Sequence, residues 1–463
     1  MIKTKNTYVT YEMNILLIVI SVLLSVICVL LALLQHYYFI IKLYKKPSIK
    51  YDIPVFEDLI PSGKTKFDRD FPLQAVKDYD EDLVLYDLNS VLNSQPQLGQ
   101  SDSLDFIKID KATGTDSEVY NTLQAAITFK LSGKNHKALK LFEHAAAIAP
   151  ENPDVLNKYG EFLEQQHQDV VSADELYFKA LTYSPDHKAA LINRERTAQV
   201  VESLDYNLFK SIDAKNDYLK KRMKLDSFEA VKKQAYYLHI YHTVGIEGNT
   251  MTVEQLRYLL ETGQVVSGKS LVEHNEILGL EKAMQYIKLL VRQDYIGINE
   301  ILGIHRRVMG HVDPIASGVF RNENVFVSSH SPPFYEEVPS LMDSYVEWLN
   351  SEEAQSMHPV RYAALAHYKL VDIHPFIDGN GRTSRLIMNL ILLKAGYPPV
   401  MVLKEQREKY YDTLKTANMG DVRPFVRFVA QCTLQILNMY IYGTRFLSIE
   451  GESQEGKQLV NYE

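Results

Sequence analysis

Apolar and polar positions divide the chain into three regimes. Ile15 to Leu34 (ILLIVISVLLSVICVLLALL) is an unbroken run of 20 residues without a charge, about the length of a helix that spans a bilayer core. From Pro47 to about Ser117 the chain is rich in Asp, Pro and Ser (YDEDLVLYD, SQPQLGQSDS), which predicts an irregular stalk. From Glu118 onward apolar residues recur at three- and four-residue spacing, which predicts helix upon helix with short loops. The exception is Gly318 to Phe334 (GVFRNENVFVSSHSPPF), where VF, a polar NEN turn and VFV predict a short β-hairpin closed by Pro332 and Pro333.

The first helical stretch repeats itself. Ala138, Leu141, Phe142, Ala145 and Pro150 recur 35 residues later as Ala173, Leu176, Tyr177, Ala180 and Pro185. A period near 34 residues, with small residues at helix contacts and Pro at the end of the second helix, is the pattern of tetratricopeptide repeats. Such repeats serve either as a partner-binding groove or as a rigid spacer, and two of them need a further helix as cap. The resulting division is a short tail (1–14), a membrane anchor (15–41), a stalk (42–117), two repeats (118–187), a linker helix (188–226), a helical domain (227–437) and a C-terminal tail (438–463).

Composition narrows the function classes. A chain of 463 residues exceeds what one core usually serves. Its net charge of -8 provides no basic field, which argues against nucleic acid as a partner. The two cysteines, Cys28 in the apolar run and Cys432 in a late helical stretch, exclude a disulfide framework. The apolar run is longer than a cleaved signal's apolar region and lacks a small-residue cleavage site, so it reads as a retained anchor. Lys3 and Lys5 precede it while Lys42, Lys45, Lys46 and Lys50 follow it, a count that places the C-terminal bulk in the cytosol.

Two short patterns mislead. GQVVSGKS (Gly263 to Ser270) matches a P-loop letter for letter, but a P-loop follows a strand, and VEQLRYLLET before it has helical spacing. Gly263 is then a helix C-cap, and Ser270-Leu-Val-Glu273 a capping box that opens the next helix. His239 and His242, among Tyr236, Tyr237 and Tyr241, could be metal ligands. No acidic or cysteine partner lies at ligand spacing, so a packed helix face is the better reading.

HPFIDGNGRTSR, His374 to Arg385, is different in kind. It lies between two apolar helical stretches, so Gly379, Asn380 and Gly381 lead into a helix start, where free backbone N–H groups bind anions. Arg382 and Arg385, three apart, can reach one anion with bidentate geometry. Asp378 beside bound phosphates suits Mg²⁺. His374 can accept a proton near neutrality. The plain alternative is a helix end, a cap and two solvated arginines. A base, a metal carboxylate, an anion cradle and a positive clamp together are what phosphoryl chemistry requires.

This stretch resembles the Fic-domain signature HPFx[D/E]GNGRxxR without departure. TVGIEGN, Thr243 to Asn249, resembles the inhibitory signature [S/T]xxxE[G/N] that precedes many Fic cores. The resemblance implies a mainly α fold: an all-helical Fic core with a β-hairpin flap, preceded by the repeats and a transmembrane helix. It implies transfer of AMP from ATP to a protein hydroxyl, with His374 as base, Asp378 as ligand of Mg²⁺ (or Mn²⁺), Gly379 to Gly381 as phosphate cradle, and Arg382 and Arg385 as clamp. Asn324, Val325, Phe326 and Val327 would form the target-positioning flap, and Tyr411 and Asn418 would contact adenine. Thr243, Glu247 and Gly248 would form the inhibitory element, Glu247 pairing with Arg385.

The whole arrangement is similar to the membrane-anchored metazoan members of the family. That likeness implies an endoplasmic reticulum membrane location with a lumenal catalytic part, against the lysine count. It also implies a lumenal Hsp70-type chaperone such as BiP as target, removal of the same AMP with help from Glu247, and a homodimer through the Fic domain near Leu271. Two other classes remain open on the residues alone: a non-enzymatic repeat-based adaptor, and a metal-dependent phosphohydrolase of small nucleotides.

Overall fold

The structure, a computed structural model, describes residues 114–459 apart from residue 225 and residues 328–329. The anchor at 15–41 and all but the end of the stalk lie outside the described residues. Among the described residues no helix is long and apolar enough to cross a membrane.

The described chain opens with α1 (Gly114–Leu131), α2 (Asn135–Ile148), α3 (Pro153–His167) and α4 (Val170–Tyr183). α1 packs on α2 and α3 on α4, each pair joined by a short turn. The matched small residues Ala138, Ala145, Ala173 and Ala180 are fully buried between helices, with Phe142 and Tyr177 filling the space beside them. α3 starts on Asn152, whose side chain accepts from the N–H groups of Asp154 and Val155, with Pro153 at the first helical position. Helix begins at Gly114, four residues ahead of the predicted boundary.

α5 (Lys188–Lys220) is one unbroken helix of 33 residues. Its first half lies against α4, while Ile212 and Leu219 in its second half join the main core. That core is built by α6 (Asp226–Ile246), α7 (Val253–Thr262), α8 (Leu271–Leu290), α9 (Ile298–Met309), α10 (Val338–Leu349), the short α11 (Glu352–Ser356), α12 (Pro359–Ile373), α13 (Asn380–Lys394), α14 (Arg407–Asn418) and α15 (Arg423–Leu459). α15 carries helix through most of the predicted C-terminal tail. Every residue of α13 from Arg382 to Leu393 is buried. A helix buried on all sides can only sit at the centre, and α13 is packed by α12, α9, α8 and α6.

Caps explain the false P-loop. α7 ends on Gly263 at φ +73°, and α8 starts with a reciprocal Ser270–Glu273 capping box. The residues that mimic a phosphate loop are therefore a helix stop followed by a helix start.

The β-hairpin expected at 318–334 is corrected. Among the described residues its only pairing is one isolated bridge between Val327 and His330. The reason lies in Arg321, which is buried and spends its donors on nearby carbonyls. Its Nη1 donates to Glu323 O at 3.0 Å and its Nη2 to Pro333 O at 2.5 Å. With both limbs tied to one guanidinium, and Pro332 and Pro333 lacking N–H donors, no ladder forms.

Charged contacts join the first four helices and α5 to the core. Arg427 of α15 donates to both Asp205 oxygens at 2.7 and 3.0 Å and to Glu175 at 3.0 Å. Arg423 reaches Asp174 at 3.0 Å, and Arg194 reaches Asp421 at 3.2 Å.

Candidate active site

The loop between α12 and α13 carries the site. α12 ends on His374 in left-handed conformation, φ +51°. This backbone state is uncommon without glycine and marks a position held by its surroundings. The ring Nδ1 of His374 donates to Val371 O at 3.2 Å, which leaves Nε2 as the nitrogen with a free lone pair. Burial lowers the pKa of His374 below the ordinary imidazole value, only partly opposed by the Val371 carbonyl.

Asn380 closes the loop. Its side chain exchanges two hydrogen bonds with the Phe376 backbone, at 2.9 and 3.0 Å. What Asn380 can offer an anion is therefore its main-chain N–H. With Gly379 as N-cap at φ +77°, the first N–H groups of α13 have no helical acceptor and are placed where an anion could be met. A Cβ on Gly381 would lie 2.9 Å from Glu247 Oε1 and 3.1 Å from Arg385 Nη1. The missing side chain lets Glu247 sit directly over the helix start.

Both arginines point inward and are buried. Arg382 donates to Asp378 Oδ2 at 3.1 Å and Glu276 Oε1 at 3.5 Å. Arg385 donates from Nη2 to Glu247 Oε1 at 2.5 Å and to Thr243 O at 3.1 Å. Burial opposes the charge of Arg385, but Glu247 and then Tyr410 outweigh it, so its pKa is raised. Glu247 sits in the turn after α6, followed by Gly248 at φ +104°. Thus 138 residues of sequence close into one ion pair. Thr243 contributes its carbonyl to this contact.

Asp378 accepts the N–H of Gly379 at 2.6 Å, and most of its side chain is exposed. Among the described residues no three acidic, histidine or cysteine side chains converge as a metal cage. One exposed hard-oxygen donor next to an anion cradle fits Mg²⁺, which takes one or two carboxylates with phosphate oxygens.

The remaining predicted residues are spread around this centre. Asn324 accepts the N–H of Tyr335 at 3.0 Å and holds the flap loop closed. Val325 lies between it and Phe326, whose ring is 84% exposed, while Val327 makes the bridge to His330. His330 Nε2 lies 3.3 Å from Asp372 O on α12, which pins the loop beside His374. Tyr411 and Asn418 are exposed, seven residues apart on one face of α14. The guanidinium of Arg407 lies 4.9 Å from the Tyr411 ring, and its Nε donates to Ile246 O at the end of α6. His239 is buried, and His242 Nδ1 accepts the Lys404 N–H at 3.2 Å.

Several residues essential to this geometry carried no readable signal. Arg321 donates its backbone N–H to Pro375 O at 2.9 Å and its Nε to His374 O at 2.8 Å, so the flap hangs directly on the histidine loop. His305 stacks on Phe376 with centroids 3.6 Å apart, accepts the Gly318 N–H at 2.8 Å and donates to Asp378 O at 2.9 Å. Burial holds its pKa down at about 4, so it stays neutral and keeps both bonds. These contacts run through main-chain atoms, which leave no pattern in side-chain spacing.

A helical core that presents a histidine, a helix-start anion cradle and two buried arginines beside a tethered loop defines a protein built to handle phosphate esters. Residues 295–392 match the Fic/DOC family, and the chain belongs to that family. It is 53% identical over 340 residues to Protein adenylyltransferase Fic of Culex quinquefasciatus, covering 73% of this chain and 68% of the relative. It is 53% identical over 351 residues to the protein of the same name from Drosophila melanogaster, covering 74% and 71%. The solved structure of Fic-1 from C. elegans is 39% identical, with a TM-score of 0.66, and spans 71% of this chain and 98% of that one.

Proposed function

We propose that this chain is a protein adenylyltransferase that moves AMP from ATP to a serine or threonine hydroxyl of a protein target, with Glu247 restraining the reaction. The observation that carries this reading is the folded His374 to Arg385 loop. It sets a base, an anion cradle and two guanidinium groups around one helix start, with a flap tied to the base's own carbonyl. The family's named relatives support the same reading.

The chemistry follows from the groups present. The target's hydroxyl gives its proton to His374 Nε2 as its oxygen attacks the α-phosphorus, and the bond to the bridging oxygen breaks so that pyrophosphate leaves. The N–H groups at the start of α13 hold the phosphates, and Arg382 and Arg385 oppose the negative charge on the leaving group. Asp378 would hold Mg²⁺ (or Mn²⁺), which when bound draws charge from the phosphates. Tyr411 offers an exposed ring for adenine, with Asn418 two turns along the same face.

Glu247 sets the balance. While its carboxylate occupies Arg385 at 2.5 Å, that arginine is not available to the γ-phosphate and ATP binds out of line. The same carboxylate can accept a proton from a water attacking the phosphodiester of a modified target, which returns AMP and the free hydroxyl. The likeness to anchored members of the family, with the predicted anchor at 15–41, supports an endoplasmic reticulum membrane protein with a lumenal body. It also supports an Hsp70-type chaperone such as BiP as target, the tetratricopeptide-like helices α1 to α4 serving it as a docking or spacing element. Leu271, 71% exposed at the start of α8, supports a homodimer contact on the Fic domain.

The test incubates purified protein with ATP, Mg²⁺ and the chaperone, and weighs the chaperone intact. Addition of one AMP in Glu247→Gly, its loss in Glu247→Gly with His374→Ala, and nucleotide turnover only with a target present are expected. Full-rate ATP breakdown without any target would instead favour a small-nucleotide phosphohydrolase.

A further inference from the structure

Glu247 holds one terminal nitrogen of Arg385, but the other is held from the opposite side. Arg385 Nη1 donates to the Tyr410 hydroxyl oxygen at 3.4 Å, and that oxygen lies 3.0 Å from His367 Nε2. All three side chains are buried. They come from three helices, α13, α14 and α12, that meet beneath the cradle.

The first of these directions is fixed by donor and acceptor chemistry, and the second follows the tautomer of His367. A guanidinium has only donors, so the Tyr410 oxygen accepts from Arg385. A buried hydroxyl proton needs an acceptor, and His367 Nε2 supplies one in the tautomer that carries its proton on Nδ1, an atom with no hydrogen-bond partner among the described residues. Burial, reinforced by the nearby Arg385 charge, lowers the His367 pKa to about 3 and keeps the ring neutral. In that tautomer the chain runs from Arg385 to Tyr410 to His367. The His367 ring is itself wedged between Tyr410 and Phe425, with centroids 5.7 and 5.0 Å away.

The two holds on Arg385 differ in kind. Glu247 is an anion, so it orients the guanidinium and also cancels its charge. Tyr410 and His367 are neutral, so they orient it and leave the charge intact. We infer that Tyr410, backed by His367, is the positioning device that keeps Arg385 aimed at the cradle once Glu247 withdraws. This rests on the reading of Arg385 as the γ-phosphate clamp. In that account Nη2 passes from Glu247 to the phosphate while Nη1 never leaves Tyr410. Neither residue touches the nucleotide's phosphates in this role, and their effect reaches ATP only through Arg385.

The experiment measures binding of ATP and of ADP, by calorimetry, in the Glu247→Gly protein and in the same protein carrying Tyr410→Phe, His367→Leu or His367→Gln. Tyr410→Phe removes only the oxygen and keeps the ring. ATP affinity is expected to fall about tenfold in Tyr410→Phe and His367→Leu, the scale of one hydrogen bond to a charged group, while ADP affinity changes less than about twofold on the same scale. His367→Gln restores an acceptor for the tyrosine hydroxyl and is expected to recover most of the ATP affinity. In AMP transfer, the same variants should raise KM for ATP and also lower kcat, since Arg385 opposes the charge on the leaving group. Equal losses for ATP and ADP, or unchanged ATP affinity in Tyr410→Phe, overturn the inference. Binding reports on Arg385 whether or not AMP is transferred, so absence of target labelling with intact ATP-over-ADP preference counts against the proposed reaction alone.

Discussion

At the scale of single residues, the site works by controlling which nitrogen or oxygen is free. His374 commits Nδ1 to Val371 O, so Nε2 is the nitrogen able to accept a proton in the proposed reaction, and burial lowers its pKa. A lowered pKa means the neutral, proton-accepting form persists to lower pH than for an ordinary histidine. The acid limb of a rate–pH profile in Glu247→Gly should therefore fall below the usual imidazole range, and a limb at or above it would remove His374 as the titrating base. His374→Ala should cut AMP transfer by roughly 10²–10⁴-fold, the usual contribution of a positioned general base, with ATP affinity little changed. The twelve residues from His374 to Arg385 were legible because they are contiguous, and their chemistry is carried by side chains. The spacing gave Asn380 a place in the loop through its backbone N–H, but not the work of its amide, which serves the Phe376 backbone. Tyr410, His367, His305 and Glu276 were not legible, since each acts through a partner on another helix.

At the scale of elements, the flap is the instructive case. Alternating Val and Phe around NEN read as a hairpin because period-two patterning is the signature of a strand. Strand pairing also needs free donors and acceptors on both limbs, and here Arg321 and two prolines take them. What remains is a loop anchored at its base to His374 O and Pro375 O, with Phe326 exposed on the segment proposed to meet the target. Arg321→Lys keeps the charge but loses the fork that reaches several carbonyls at once. It should raise KM for the protein target about tenfold, matching one lost charge-assisted bond, and leave KM for ATP unchanged. Greater protease cleavage within 318–335 should accompany it. An equal rise in both KM values would place the role of Arg321 in the cradle and not in the flap.

At the scale of the molecule, helices were legible nearly throughout, because three- and four-residue apolar spacing runs from α1 to α15 and caps such as Asn152 and Ser270 mark starts. Their assembly was not. Nothing in the spacing of Asp174, Glu175 and Asp205 announces that they meet Arg423 and Arg427 more than 200 positions later. These contacts join α4 and α5 to the helix that also packs on α14. A double-mutant cycle with Asp205→Ala and Arg427→Ala should return a coupling of about 1–3 kcal/mol in unfolding free energy. Hydrogen exchange in α1 to α4 should rise in Arg427→Ala before exchange in α13 does, and equal protection in both variants would make the contact incidental.

In the proposed reaction one carboxylate, Glu247, decides whether the AMP-transfer site acts. The most direct measurement is intact mass of the chaperone after incubation with ATP and Mg²⁺ and each of three proteins: unaltered, Glu247→Gly, and Glu247→Gly with His374→Ala. The account predicts an added AMP chiefly with Glu247→Gly, little with the unaltered protein and none with the double variant. Equal addition by the unaltered and Glu247→Gly proteins, or addition that survives loss of His374, would contradict it.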